Sequence, residues 1–110
     1  MLEMNFFCYG KIRLHNGYIG LQVRVFDVSS RGARLQIPYQ ASVDDTIHLI
    51  PHYETADVPQ NKKSADITVV VKWSKNNGAF GSDVGCEVAD PNLNLLKCLL
   101  DWKRNSRILI

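Results

Sequence analysis

Alternation of polar and apolar residues is the feature that most limits what this chain can fold into. Six short segments alternate in this way or form a run of β-branched residues, and most are separated by Gly, Asn or Pro turn signals. The segments are residues 11–15, 18–26, 33–37, 46–50, 67–73 and 83–89. Asn16-Gly17, the strongest short hairpin signal, joins the first two. The pattern predicts a core of antiparallel strands, and the polar stretch 54–64 predicts a long loop.

The C-terminal part of the chain is the one region with helical spacing. Apolar residues recur at intervals of three and four from Leu95 to Trp102, which predicts one apolar helix face packed against the strands. Asp90 suits the N-cap and Pro91 the first helical position, so we predict a helix over residues 90–104. Six strands and a terminal helix predict a mainly β protein, either a small antiparallel barrel or a sandwich.

Length and hydropathy predict a single small domain. The chain has 110 residues, of which 45% are hydrophobic and 22% charged. A chain of this length buries a core without needing a metal or a disulfide, and we expect one domain over 1–110 with 1–10 as an N-terminal segment. No stretch approaches the roughly 18 apolar residues of a membrane span, and no signal peptide is recognisable. We therefore expect a cytoplasmic protein that does not insert into membranes.

The three cysteines, Cys8, Cys86 and Cys98, do not form a metal or disulfide pattern. Their number is odd and no two stand at a C-x-x-C spacing, which argues against a disulfide scaffold and a zinc ribbon. We predict buried or half-buried free thiols. His48 and His52 are four apart, but Pro51 between them argues against the helix that would align them on a metal. No catalytic motif is visible, so we expect neither enzymatic activity nor a cofactor.

Positive charge is concentrated at the front of the chain. Residues 1–37 carry five basic and two acidic side chains, whereas residues 38–66 carry two basic and five acidic ones. A basic front end suits an anionic ligand, and it is equally consistent with a solvated strand face.

One short motif, Asp27-x-Ser29-x-x-Gly32, stands between two predicted strands. The Asp and Ser side chains can close turns onto backbone amides, and Gly32 allows a positive φ that would let the next strand start at a sharp angle. The same two side chains can also accept hydrogen bonds from a guanine edge, and the serine can donate to a phosphate. The motif alone leaves the structural and the ligand-binding interpretations open.

The chain resembles the bacterial PilZ domain family from about Tyr18 to Trp102. The D-x-S-x-x-G motif is followed by Ala33-Arg34-Leu35, by a strand ending in Trp73, by a strand beginning Val84-Gly85 and by a C-terminal helix. The resemblance implies a six-stranded barrel covered by that helix. It also implies a receptor module for cyclic di-GMP in bacterial signalling, in which the residues matching Asp27, Ser29 and Gly32 contact the nucleotide.

The chain departs from the family at a second ligand-binding motif, R-x-x-x-R. That motif occurs nowhere in the sequence, and residues 1–10 contain no arginine or lysine. Each lost charge-assisted contact would cost roughly 1.5–3 kcal/mol of binding free energy. The basic residues available as substitutes are Lys11, Arg13, Arg24 and Arg31.

Two functions follow from this resemblance. In the first, the domain is an adaptor that contacts a protein effector of motility, pilus or secretion machinery and binds cyclic di-GMP weakly or not at all. In the second, it is a cyclic di-GMP receptor that uses the substitute basic residues. A third, less favoured function is a small nucleic-acid-binding barrel, suggested by aromatic residues near the basic ones. We expect no nucleic acid polymer as a partner.

The apolar helix face and tail are the candidate partner-binding surface. Both can dock onto the domain itself, or meet a partner or a second copy of the chain. The residues concerned are Leu99, Trp102, Ile108, Leu109 and Ile110.

Overall fold

Six strands and one α-helix make up the part of the chain that the structure describes. The computed structural model describes residues 2–14, 17–50 and 66–106. The strands are β1 (Leu2–Leu14), β2 (Gly17–Val28), β3 (Gly32–Ile37), β4 (Thr46–Ile50), β5 (Ile67–Asn76) and β6 (Ser82–Val88), and the helix is α1 (Leu95–Ser106). A single 3-10 turn, Gly78–Phe80, connects β5 to β6. The predicted mainly β fold with one C-terminal helix is confirmed.

The strands close into a barrel rather than a two-sheet sandwich. Their order around the barrel is β1-β2-β3-β6-β5-β4, and each neighbouring pair is antiparallel. Closure gives each strand a partner on both sides over part of its length, which leaves little unpaired backbone at the edges. The prediction of a six-stranded antiparallel barrel is therefore confirmed, and the sandwich alternative is wrong.

The N-terminus belongs to the barrel. No strand was predicted in the N-terminal segment 1–10, whereas β1 begins at Leu2 and pairs with β2 from Leu2↔Val28 to Leu14↔Gly17. Met4, Phe6 and Cys8 alternate into the core, and this inward face holds the segment in the sheet. Gly17 has a φ of 137° and is the first residue of β2. Asn16 and the predicted loop 54–64 lie outside the described residues.

The core lies inside the barrel and is closed at one end by α1. The inward positions of the six strands are apolar except for the buried Ser82 of β6, and Leu95, Leu99 and Trp102 of α1 join the core. Cys8 and Cys86 are buried in this core and Cys98 is half-buried, each as a free thiol, as predicted. Burial raises the pKa of the Cys8 and Cys86 thiols to about 12. In the described part of the chain, no helix is long and apolar enough to cross a membrane.

The helix starts five residues later than predicted. The Asp90 carboxylate accepts a hydrogen bond from the Asn92 N–H at 2.9 Å and so closes a turn ahead of the helix. The side chain that caps the helix belongs to Asn94, whose Oδ1 accepts from the Lys97 N–H at 3.1 Å. Both residues are good N-caps by type, and the sequence pattern favoured the wrong one.

Candidate functional site

The turn between β2 and β3 contains the Asp-Ser-Gly motif and is closed by its own hydrogen bonds. The Gly32 N–H donates to Ser29 Oγ at 3.2 Å, and the Ser29 N–H donates to the Gly32 carbonyl at 2.8 Å. The expected positive φ at Gly32 is wrong, because Gly32 is not among the residues with left-handed backbone. A Cβ atom at this position would lie 2.9 Å from the Cys86 carbonyl oxygen. Glycine therefore lets β3 start close against β6.

Two irregularities in strand pairing meet at Phe26, just before the turn. On the β1 side, two residues, Met4 and Asn5, lie opposite Phe26. On the β3 side, Phe26 has no partner. Asn5 takes a left-handed φ of 46°, which asparagine tolerates better than most residues. Bulges of this kind reorient side chains, and here Phe26 and the next residue, Asp27, are both partly exposed.

Charged and aromatic groups cluster around this double bulge. Asp27 Oδ2 lies 2.9 Å from Arg34 Nη2. The guanidinium carbons of Arg24 and Arg34 lie 4.8 and 5.1 Å from the centre of the Phe26 ring. Arg24 also donates two hydrogen bonds to Asn5 Oδ1, at 2.9 and 3.2 Å. These groups and Glu3 line a cavity of about 380 Å³.

The two oxygens of the Asp27 carboxylate have different surroundings. Oδ2 forms the ion pair with Arg34, whereas Oδ1 is buried and has no hydrogen-bond partner among the described residues. A buried acceptor without a partner is costly, and it suits a ligand that presents an N–H group.

A second cavity lies on the other side of Arg34. It measures about 350 Å³, and its lining includes Ser29, Arg31, Lys72 and Trp73. The Trp73 ring lies directly over Gly85, where a Cβ atom would overlap the indole. Together the two cavities present three guanidinium groups, one ammonium group, two aromatic rings and three carboxylates. The guanidinium groups and the rings are the part of this set that suits a planar anionic ligand.

The structure brings together only part of the predicted ligand site. Arg24 joins the Asp-Ser-Gly motif, and Arg31 lies on the turn. Lys11 and Arg13 pair with Gly20 and Tyr18, at the far end of the β1–β2 hairpin. Gly20 and Asp27 are seven positions apart, which is about 23 Å along the strand. The structure therefore does not bring Lys11 and Arg13 together with the Asp-Ser-Gly motif along the strand.

Sequence reasoning missed Phe26, Asn5, Glu3 and the role of Arg34. Arg34 follows the motif directly, and a tight turn between two strands would have placed it opposite Asp27. Phe26 and Asn5 come together through bulges, for which the sequence contains no recognised signal.

The predicted partner surface on the helix is largely internal. Leu99 and Trp102 are 0% and 4% exposed because they pack into the barrel's own core. They are therefore unavailable to a partner in this structure, while Ile108, Leu109 and Ile110 lie outside the described residues. Within the described residues no group of three His, Cys, Asp or Glu side chains could hold a metal. His48 lies 3.0 Å from Thr68 Oγ1, and His52 is outside the described part.

Comparison with family models, curated proteins and solved structures found no match to this chain.

Proposed function

We propose that this chain is a PilZ-like regulatory adaptor that acts through protein–protein contacts and binds cyclic di-GMP weakly or not at all. The observation that carries the proposal is the internal bonding of the β2–β3 turn. The Asp27 carboxylate pairs with Arg34, and Ser29 bonds to Gly32. A nucleotide using these groups would first have to replace bonds that the free protein already makes, which lowers its net affinity.

The third side chain of the turn is also engaged. The Arg31 guanidinium donates to the Pro91 carbonyl at 2.9 Å and lies 3.8 Å from the Glu87 carboxylate. Both partners belong to β6 or to the connection that follows it. Arg31 therefore stabilises the β6–α1 connection. These contacts favour a structural role for Arg31 over a ligand-binding role.

The turn is joined to the helix by backbone bonds as well. The Leu95 N–H donates to the Ser30 carbonyl at 2.9 Å, and the Val88 N–H donates to the Arg31 carbonyl at 2.8 Å. A contact that displaced the turn would therefore also displace Leu95, the first residue of α1. This mechanical link is what an adaptor needs in order to report one contact at another surface.

The second candidate function is a cyclic di-GMP receptor with non-canonical basic residues. It is favoured by the buried, unpartnered Asp27 Oδ1, which lies beside a cavity lined by Arg24, Arg34 and Phe26. Guanine N–H groups match that acceptor, and guanidinium groups match phosphates. Since Lys11 and Arg13 lie far away, Arg24 and Arg34 would have to supply the charge.

Isothermal titration with cyclic di-GMP separates the two functions. The adaptor predicts no saturable heat, whereas binding at micromolar concentration or tighter would overturn it. If binding occurs, the receptor requires that Asp27→Ala and Arg24→Ala weaken it strongly, while Arg104→Ala, an exposed control on α1, leaves it unchanged. Equal affinity of the wild type and all three variants for cyclic di-GMP would exclude this turn as the binding site.

A further inference from the structure

The β2 strand is longer than the strand beside it. Its pairing with β3 covers only Arg24 to Val28. Within the described residues, the stretch from Gly17 to Val23 is paired with β1 alone. Its other edge therefore presents backbone N–H and C=O groups without a strand beside them, although the barrel as a whole is closed.

Proline explains why β3 stops short. Arg24 lies opposite Gln36, so continued pairing would bring Pro38 opposite Gln22. Proline has no N–H to donate to a neighbouring strand. The chain instead turns towards β6, where Ser82 Oγ donates to the Tyr39 carbonyl at 2.7 Å. Among the described residues, the β2 edge from Gly17 to Val23 is thus left without a strand beside it.

This edge lacks the features that normally prevent strands from associating. Natural edge strands carry lysine, proline, a bulge or a short length. The seven residues 17–23 contain no charged residue and no proline, and their pairing with β1 is regular. Tyr18 and Ile19 are 59% and 37% exposed.

We propose that the protein forms a homodimer in which the β2 edges of two copies pair antiparallel about a two-fold axis at Gly20. In this register Gly20 faces its own counterpart, Ile19 faces Leu21, and Tyr18 faces Gln22. Aliphatic residues then meet on one face, and an aromatic residue meets an amide on the other. The result is a continuous sheet of four strands, β1-β2-β2-β1. The proposal does not depend on the proposed function.

The charge pattern favours a second copy as the occupant. Lys11 lies opposite Gly20 on β1, so the two Lys11 residues would be three strand spacings apart, about 14 Å. Arg24 is four residues from the axis, which separates the two copies of it by about 26 Å. Both distances exceed the screening length of about 8 Å in physiological salt. Two copies of this basic chain can therefore meet here without repulsion, and a charged partner would find no opposite charge on the edge.

Gly20 itself has no explanation within one copy. Its φ is not left-handed, and a Cβ atom there would have no neighbour within 4 Å. It lines an apolar cavity of about 480 Å³ together with Leu21 and Ile50. Glycine inside a strand weakens it and often marks a place where another backbone approaches closely. In the proposed dimer, Gly20 has no side chain that could hinder the approach of the second β2 strand.

Sedimentation of the full-length protein tests the dimer. The wild type is expected to sediment at twice the monomer mass of 12.5 kDa, with a Kd below about 1 mM. Gly20→Lys and Gly20→Glu each place like charges on the axis and are expected to be monomers. Mixing the two variants is expected to restore the dimer, because opposite charges then meet. Ala79→Lys and Ala79→Glu make similar charge changes on the exposed β5–β6 connection, across the barrel, and are expected to remain dimers.

Three results would overturn the proposal. A wild type that stays monomeric up to about 1 mM contradicts it and is expected if another part of the chain covers the edge. Dimers that persist in both Gly20 variants place the interface elsewhere. Failure of the mixed variants to associate, while the wild type dimerises, contradicts the axis at Gly20. The measurement of the wild-type mass does not depend on whether any variant folds. A circular dichroism melt of each variant checks that the variant is folded.

Discussion

Asp27 and Arg34 lie opposite each other on β2 and β3, with Asp27 Oδ2 at 2.9 Å from the Arg34 guanidinium. The Asp27 side chain is only 20% exposed, whereas that of Arg34 is 51% exposed. The pair thus holds the mostly buried carboxylate of the Asp-Ser-Gly motif in contact with the protein's own cation. The proposed adaptor function rests on this contact.

Removal of Arg34 is expected to destabilise the fold through Asp27. In Arg34→Ala both oxygens of a mostly buried carboxylate lack a protein partner, and the contact with the Phe26 ring is lost as well. We expect the free energy of unfolding to fall by about 1–2 kcal/mol. Urea denaturation measures this, with Arg104→Ala as an exposed arginine control. Equal stability of the two variants would mean that the ion pair contributes nothing.

The three thiols are expected to differ in reactivity. Burial raises the pKa of Cys8 and Cys86 from 9.0 to about 12, so almost none of either is thiolate at about pH 8. Burial and the nearby Asp101 carboxylate also raise the pKa of Cys98, but this thiol is only half-buried. DTNB should modify Cys98 slowly in the native protein and the other two only on unfolding. Rapid release of three equivalents from folded protein would contradict the burial of Cys8 and Cys86.

The same pKa shifts predict a loss of stability at high pH. Unfolded thiols ionise near 9.0, whereas the folded Cys8 and Cys86 keep their protons until about 12. Unfolding therefore releases protons between these values, and the free energy of unfolding falls as pH rises through that window. Urea midpoints for wild type and Cys8→Ala, measured across this range, check the effect. The variant should lose less stability, and an identical slope would exclude a contribution from Cys8.

Two glycines are expected to respond oppositely to alanine. At Gly32 the new Cβ would press on the Cys86 carbonyl, which belongs to the backbone and cannot move freely. Gly32→Ala is expected to lower the free energy of unfolding by about 1–3 kcal/mol. Gly20 has open space, so Gly20→Ala is expected to raise it by about 0.5–1 kcal/mol. Thermal denaturation compares them, and an equal loss in both would contradict the close approach of β3 to β6.

The helix cap offers a further test. Asn94→Ala removes the side chain that accepts from the Lys97 N–H, and we expect a loss of about 1 kcal/mol in the free energy of unfolding. Asp90→Ala opens only the preceding turn and is expected to cost less. Chemical denaturation of the two variants checks the order. A larger loss of stability in Asp90→Ala would indicate that Asp90, the residue expected from the sequence, is the N-cap of the helix.

Strand periodicity predicted most of the fold because the inward faces are so regularly apolar. The segments at β3 and β4 were predicted to within one residue, since turn residues bound both of them. The first part of β1 was missed although Met4, Phe6 and Cys8 alternate, because Phe7 interrupts the pattern with an exposed aromatic residue. The start of the helix was missed because two residues of equal capping ability stand four apart.

The candidate site was less predictable than the fold. The Asp-Ser-Gly turn is local, so its hydrogen bonds follow from the motif. Phe26 reaches the site through a one-residue shift in register, which depends on how three strands pair and not on any neighbour in sequence. Lys11 and Arg13 lie near the turn end of the β1–β2 hairpin. Positive charge near the motif in sequence does not imply proximity along a hairpin.

Nuclear magnetic resonance titration of ¹⁵N-labelled protein with cyclic di-GMP tests the central claim most directly. The turn and α1 are joined through the Ser30 carbonyl and the Leu95 N–H, so a ligand on the turn would shift amide signals in both. The adaptor predicts that the signals of residues 27–32 and of Leu95 stay unchanged, or move without saturating, as nucleotide is added. Saturable shifts of these signals at micromolar nucleotide, lost in Asp27→Ala, would contradict it.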